Sequence, residues 1–149
     1  MVTTKNSYNY LTMIHLFTYG SLMCSDIMYR VAGCKTGFTQ ASLYNFFRSK
    51  IAGREYPGII PQQGAMVPGV LYFDISAEAL ERLDIFEGEM YQRQEVEVIN
   101  DTHDSVTAMT YIIKPQYRGL LTDKEWSFSE FLAVGKEKFE ESYFGFQEI

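Results

Sequence analysis

The sequence predicts an α+β fold in one domain. Three observations carry that expectation. A length of 149 residues suits one compact domain. Apolar residues at 46% and aromatics at 15% supply a core without disulfide staples. Short β-prone runs bounded by Gly and Pro are interleaved with helices whose ends carry capping residues.

Residues 1–12 are polar and aperiodic and read as a flexible or tag-like arm ahead of one domain at 13–149. Ile14 to Thr18 is short, apolar and β-prone, and Tyr19-Gly20-Ser21-Leu22 follows it directly. Ser25 or Asp26 is placed to cap a short helix through about Val31. Ala41 to Phe47 reads as a strand, and Gly53 to Gly64, with Pro57, Pro61 and its glycines, as a loop or broken strand. Pro68-Gly69 opens a strand over Val70 to Asp74.

A helix follows, with Ser76 as N-cap, Ile75 and Leu80 spaced as a hydrophobic staple, and Gly88 as its stop. Leu80 and Leu83 mark its inward face, and four residues further along that face comes Glu87. Tyr91 to Ile99 alternates as a strand, with Val96 and Val98 on one face and Arg93, Glu95 and Glu97 on the other. Asn100 to Ser105 is a hairpin turn, and Val106 to Ile113 returns as a strand that Pro115 ends. Ser127-Phe128-Ser129-Glu130 is a capping box, opening a helix with Phe128, Phe131, Leu132, Gly135 and Phe139 inward.

Charge and composition exclude several function classes. A formal net charge of −6 has the wrong sign for steering toward nucleic acid or anionic lipid. The densest basic group, Arg48, Lys50 and Arg54, reads as a solvated loop. Cys24 and Cys34 make no secreted-type disulfide framework, the first fourteen residues lack a signal peptide's apolar core, and no stretch approaches the roughly 20 apolar residues of a membrane span. A reducing, cytoplasmic location is expected. With only His15 and His103 and no closely spaced Cys or His pair, no metal site is recognisable. His15 reads as structural, His103 as turn surface and the cysteines as inert thiols. Phosphate-loop, dinucleotide and nucleophile-elbow patterns are absent, so no cofactor is implied.

Two features remain. A carboxylate on an apolar helix face has its pKa raised by desolvation toward the range where an acid/base works near neutrality. Glu87 is in that position, unless it sits at a frayed helix end and reaches water. The Tyr19-Gly20-Ser21-Leu22 bend, after a buried strand, either turns backbone N–H groups together toward one anion or is an ordinary strand-to-helix connection.

Taken with their surroundings these features form a pattern. Phe17-Thr18-Tyr19-Gly20-Ser21-Leu22-Met23, Tyr56-Pro57 with a following Ile-Pro, Val67-Pro68-Gly69-Val70-Leu71, and Leu83-Asp84-Ile85-Phe86-Glu87-Gly88 with Tyr91 and Arg93 come in this order. That order resembles the γ-glutamylcyclotransferase-like family, particularly its branch related to the plant avirulence-induced protein and γ-glutamylamine cyclotransferase, over roughly residues 14–115.

The resemblance implies a small mixed β-barrel flanked by helices. It also implies that Tyr19, Gly20, Ser21 and Leu22 hold a glutamyl α-carboxylate through backbone N–H groups, with Glu87 as catalytic acid/base. Tyr56 and Tyr91 match positions that line or close the cavity, and Arg93 either orients the site or is an exposed strand residue. The implied reaction is cofactor-free cyclisation of a small-molecule γ-glutamyl substrate to 5-oxoproline. A noncatalytic module binding a small carboxylate or a protein on the same fold is the alternative.

Overall fold

Strands are the commonest regular element of the chain because apolar and β-branched residues recur at every second position, so one face of each strand can be buried. The computed structural model describes residues 14–149; the arm expected over residues 1–12 lies outside the described residues. Its strands are β1 (Ile14–Thr18), β2 (Phe38–Ile51), β3 (Pro57–Ile75), β4 (Tyr91–Asn100), β5 (Ser105–Ile113) and β6 (Leu121–Glu125). Helices α1 (Ser25–Ala32) and α2 (Ala77–Glu87) flank them. The last helix runs as α3 (Phe128–Glu130), a π-helical stretch (Phe131–Gly135) and α4 (Lys136–Ser142).

The strands run β3-β1-β5-β4-β2, and β2 pairs again with β3, which closes a five-stranded barrel; β6 is added to β2 outside the ring. The β1–β5 pair is parallel and the others antiparallel, so the barrel is mixed. Closure removes free edges from the ring strands. Gly69 makes it possible: a Cβ there would lie 2.2 Å from the Thr18 carbonyl oxygen and 2.6 Å from the Phe17 ring, so β3 reaches β1 only without a side chain at that position.

Alternation along the strands divides the apolar side chains between two cores. Phe17, Leu43, Leu71, Val98 and Ile112, one from each ring strand, pack inside the barrel. Leu16, Tyr72 and Ile113 face outward and are covered by Ile27, Val31, Leu83, Phe86 and Phe139 from the helices. Helix α2 follows its sequence signals closely. The Ser76 hydroxyl accepts from the Ala79 N–H at 3.1 Å, and Gly88 ends the helix with φ of 82°.

Several expectations need correction. Residues 57–64 are not a loop or broken strand: β3 is continuous from Pro57, which is its first residue. Pro61 pairs with Phe46 at the edge of a register shift, where Asn45, φ 67°, faces residues 62–65 of β3, so the ladder is already interrupted beside its missing N–H. Strand β2 is likewise longer than Ala41 to Phe47. Cys24, not Ser25 or Asp26, occupies the cap position of α1, with no side-chain cap; Asp26 instead accepts from Lys136 Nζ at 2.7 Å.

Leu132 is 50% exposed, because the wider turn of the π-helical stretch rotates it off the line that joins Phe131 to Phe139. Strand β6 was not anticipated. Finally, Arg48 is no loop residue. It lies in β2 and is only 6% exposed, with its guanidinium over the Trp126 ring.

The remaining polar residues fall where they were expected. His15 Nδ1 accepts from the Asp74 N–H at 3.2 Å, and His103 is exposed in the β4–β5 turn. Cys24 is buried, its thiol pushed up to about 11 chiefly by burial, and Cys34 is exposed; both are free. Among the described residues, no helix is long and apolar enough to cross a membrane, and no group of three or more His, Cys, Asp or Glu could hold a metal ion.

Candidate active site

Five segments deliver their chain ends to one place beside the barrel. The end of β1 turns through Tyr19 and Gly20 into a 3-10 turn, Ser21–Met23. The β2–β3 hairpin brings Tyr56 and Pro57, α2 ends on Glu87, β4 starts with Tyr91, and the end of β5 brings Tyr111. Between them lies a narrow cavity that opens to solvent. All seven residues singled out from the sequence, Tyr19, Gly20, Ser21, Leu22, Tyr56, Glu87 and Tyr91, line it.

The bend leaves several backbone donors free among the described residues. Its internal bonds run from the Met23 N–H to the Gly20 carbonyl and from the Cys24 N–H to the Ser21 carbonyl. That leaves the N–H groups of Gly20, Ser21 and Leu22 without a protein acceptor among the described residues. Gly20 also permits a close approach: a Cβ there would meet the Pro57 ring at 2.9 Å. The bend is pinned from behind, where Tyr72 donates to the Leu22 carbonyl at 2.8 Å and Arg48 Nη1 to the Tyr19 carbonyl at 3.0 Å.

Glu87 faces this bend across the cavity. Its surface is partly open to the cavity, yet protein encloses it on the remaining sides, and no protein group among the described residues donates to its carboxyl oxygens. Burial, and then the charge of Asp84 one helical turn earlier, push its pKa up to about 8. It can therefore change protonation state near neutrality, the property an acid/base requires.

Tyrosines form much of the wall, and most of their hydroxyls are committed elsewhere. Tyr19 donates to the Tyr111 carbonyl, Tyr91 to the Pro57 carbonyl at 2.7 Å, and Tyr143 to the carbonyls of Phe86 and Glu87 at 2.9 and 3.1 Å. Tyr111 donates to Asp84 Oδ1 at 2.6 Å. Burial raises the phenol pKa of Tyr19, Tyr56, Tyr91, Tyr111 and Tyr143, which keeps them neutral. Arg93 does not line the cavity; it is paired with Asp84.

Tyr111, Phe139 and Tyr143 also line the cavity and were not anticipated as site residues. Tyr111 carried a usable signal, since it stands directly opposite Arg93 in the β4–β5 pair. Tyr143 and Phe139 arrive from a helix that is remote in sequence, stacked on each other at 4.6 Å, and local pattern gives no sign of them.

Comparison with known proteins places this geometry. Residues 16–128 match the family described as gamma-glutamyl cyclotransferase, AIG2-like. The chain is similar to AIG2-like protein D of Arabidopsis thaliana, 33% identical over 140 residues, which cover 88% of this chain and 92% of that protein. A solution structure of another Arabidopsis thaliana protein shares the fold with a TM-score of 0.66 and 28% identity, over 87% of each chain. A crystal structure of an AIG2-like protein from Mus musculus does so with a TM-score of 0.60 and 26% identity, over 77% of this chain and 88% of that one. With its closed mixed barrel, flanking helices and matching sequence, this chain belongs to the gamma-glutamyl cyclotransferase, AIG2-like family.

Proposed function

We propose that this protein is a γ-glutamylcyclotransferase, converting the glutamyl part of a γ-glutamyl amine or amino acid to 5-oxoproline with release of the free amine. One observation carries the reading: Glu87, whose carboxyl group has no protein donor among the described residues, lines the same cavity as Gly20, Ser21 and Leu22, whose backbone N–H groups have no protein acceptor among the described residues. These two features suit the two charged ends of a glutamyl unit.

The α-carboxylate accepts from the N–H groups of Gly20, Ser21 and Leu22, and the α-ammonium is directed toward Glu87. A cation beside Glu87 favours its ionised form, which offsets the desolvation that raises its pKa in the empty site. The carboxylate then takes a proton from the ammonium. The freed amine attacks the γ-carbonyl carbon of its own side chain, forming a C–N bond that closes a five-membered ring. Breakdown of the tetrahedral species cleaves the original amide C–N bond, and Glu87 returns the proton to the leaving nitrogen. As it becomes an amide the ring nitrogen gives up its second proton through the same carboxylate, and the released amine takes that proton to leave as an ammonium, so two protons pass through Glu87 in each turnover and the atoms balance.

Holding the folded substrate so that amine meets carbonyl is the protein's larger contribution. The walls of Tyr19, Tyr56 and Tyr91 exclude water and supply apolar surface to the glutamyl methylenes.

Incubation of the protein with a panel of γ-glutamyl amines, γ-glutamyl amino acids and glutathione is expected to yield 5-oxoproline from at least one. Glu87→Gln is expected to bind that substrate but to turn it over about a hundredfold more slowly or worse. Equal rates for the two proteins remove Glu87 from the mechanism. Binding without turnover across the panel favours a noncatalytic small-carboxylate module.

A further inference from the structure

Arg48 presents a problem that packing alone does not solve. Its side chain is 6% exposed, and its guanidinium makes no ion pair with any carboxylate among the described residues. Its acceptors are neutral: the Tyr19 carbonyl at 3.0 Å, the Pro68 carbonyl at 3.2 Å and the Met23 sulfur at 3.9 Å, all through Nη1. Its Nε is buried and has no hydrogen-bond partner among the described residues. Burial makes the charged form of Arg48 costly and lowers its pKa, with the exposed Glu125 acting on it only at longer range. A buried cation without a counter-charge is among the more expensive features a fold can carry.

The location of that cation is informative. The carbonyl it grips belongs to the peptide group whose N–H is that of Gly20. In a planar trans peptide the C=O and N–H point in opposite directions, so a donor that holds the carbonyl on one side aims the N–H to the other. Arg48 holds the carbonyl of that peptide yet does not line the cavity, whereas Tyr19 and Gly20 do. A charged donor on the carbonyl also polarises the amide and makes its N–H a stronger donor.

We propose that Arg48 is a positioning residue for carboxylate recognition: it aims and polarises the Tyr19–Gly20 peptide, and its charge is completed by the ligand carboxylate bound on the other face of that peptide. This rests on the proposed role of the Tyr19–Leu22 bend and extends it to a residue that never touches the ligand. The anion site is then charged as well as dipolar, which selects a carboxylate over a neutral carboxamide of nearly the same shape.

The test uses binding, so that it reads independently of turnover. The probes are 5-oxoproline, the product common to all γ-glutamyl substrates, and its neutral α-carboxamide, titrated calorimetrically into wild type, Arg48→Met and Arg48→Lys. Wild type is expected to prefer the carboxylate. Arg48→Met is expected to weaken 5-oxoproline binding roughly ten- to a hundredfold, the scale of a hydrogen bond to a charged group, and to weaken the carboxamide, which shares the aimed N–H but not the charge, by clearly less. Arg48→Lys is expected to restore part of the preference.

Retained carboxamide binding shows that the cavity is folded. If Arg48→Met does not fold, Arg48→Gln, which keeps a donor for the Tyr19 carbonyl and removes only the charge, carries the same comparison. Equal weakening of both ligands, an unchanged preference, or no 5-oxoproline binding by folded wild type overturns the proposal. Failure of the cyclisation reading looks different: 5-oxoproline binds with the stated preference, and no γ-glutamyl compound is turned over.

Discussion

Arg93 holds Asp84 with two hydrogen bonds, Nε to Oδ1 at 2.8 Å and Nη2 to Oδ2 at 3.1 Å, one helical turn before Glu87. The pair is half-exposed, so its own contribution to stability is small. Its importance is electrostatic: Asp84 is the charge that adds to desolvation in raising the Glu87 pKa, and Arg93 masks it. Asp84→Asn is therefore expected to lower the Glu87 pKa from about 8, and Arg93→Met to raise it, each by roughly half a unit to a unit. The rising limb of kcat/KM against pH, or carbon NMR of the Glu87 carboxyl, reads the midpoint. Three identical midpoints would show that the Asp84 charge does not reach Glu87.

The raised Glu87 pKa also fixes a direction for stability. The folded state holds this proton more tightly than the unfolded chain does. Its stabilising effect is thus fully present below the ordinary value of 4.5 and is lost as pH rises through about 8. Each pKa unit corresponds to about 1.4 kcal/mol. Glu87→Gln, which cannot ionise, is expected to gain stability relative to wild type across that window, by a few kcal/mol at its upper end. Urea denaturation of both proteins at pH 5, 7 and 9 measures the difference, and a constant difference would rule out a buried, titrating Glu87.

Gly20 is expected to tolerate no methyl group without loss of binding. In Gly20→Ala the new Cβ meets Pro57 Cδ at 2.9 Å, and the Pro57 carbonyl in turn anchors Tyr91. The bend must move off the β2–β3 hairpin, which spoils the common aim of the three N–H groups. A rise in KM of about tenfold or more, the scale of one charge-assisted hydrogen bond, is expected in steady-state kinetics. An unchanged KM would show that the bend does not hold substrate.

Tyr143 ties the end of the chain to the end of α2 by donating to the carbonyls of Phe86 and Glu87. These are helix-terminal acceptors without an intrahelical partner. Tyr143→Phe keeps the stack on Phe139 and removes only the hydroxyl, so a loss of about 1–3 kcal/mol in denaturation at fixed pH is expected. No loss would mean that solvent satisfies those carbonyls equally well.

Local chemistry made part of this structure legible in advance. Ser76, Leu83 and Gly88 are related by helix period and capping alone, so α2 could be read directly, whereas the same count left Glu87 either inward or at a frayed end that reaches water. The bend was legible for a similar reason, since Tyr19-Gly20-Ser21-Leu22 directly follows a short apolar strand. Arg48 was not legible. Its burial is created by Trp126, 78 positions later, and by the Tyr19 and Pro68 carbonyls that barrel closure brings beside it. The helix-period reading failed at Leu132 because a π-helical turn, which no residue type announces, resets the face. Pro61 misled because a bulge, itself a product of pairing with β2, absorbs a proline that would break an isolated strand.

The chain contains one tryptophan, and Trp126 is buried with its ring 5.1 Å from the Arg48 guanidinium. Indole emission responds to the charges around it, so this pairing gives the protein its own optical reporter on the residue behind the bend. If an anion occupies the cavity as proposed, the field at that indole is expected to change, and fluorescence of unlabelled protein would report occupancy without coupling to any reaction.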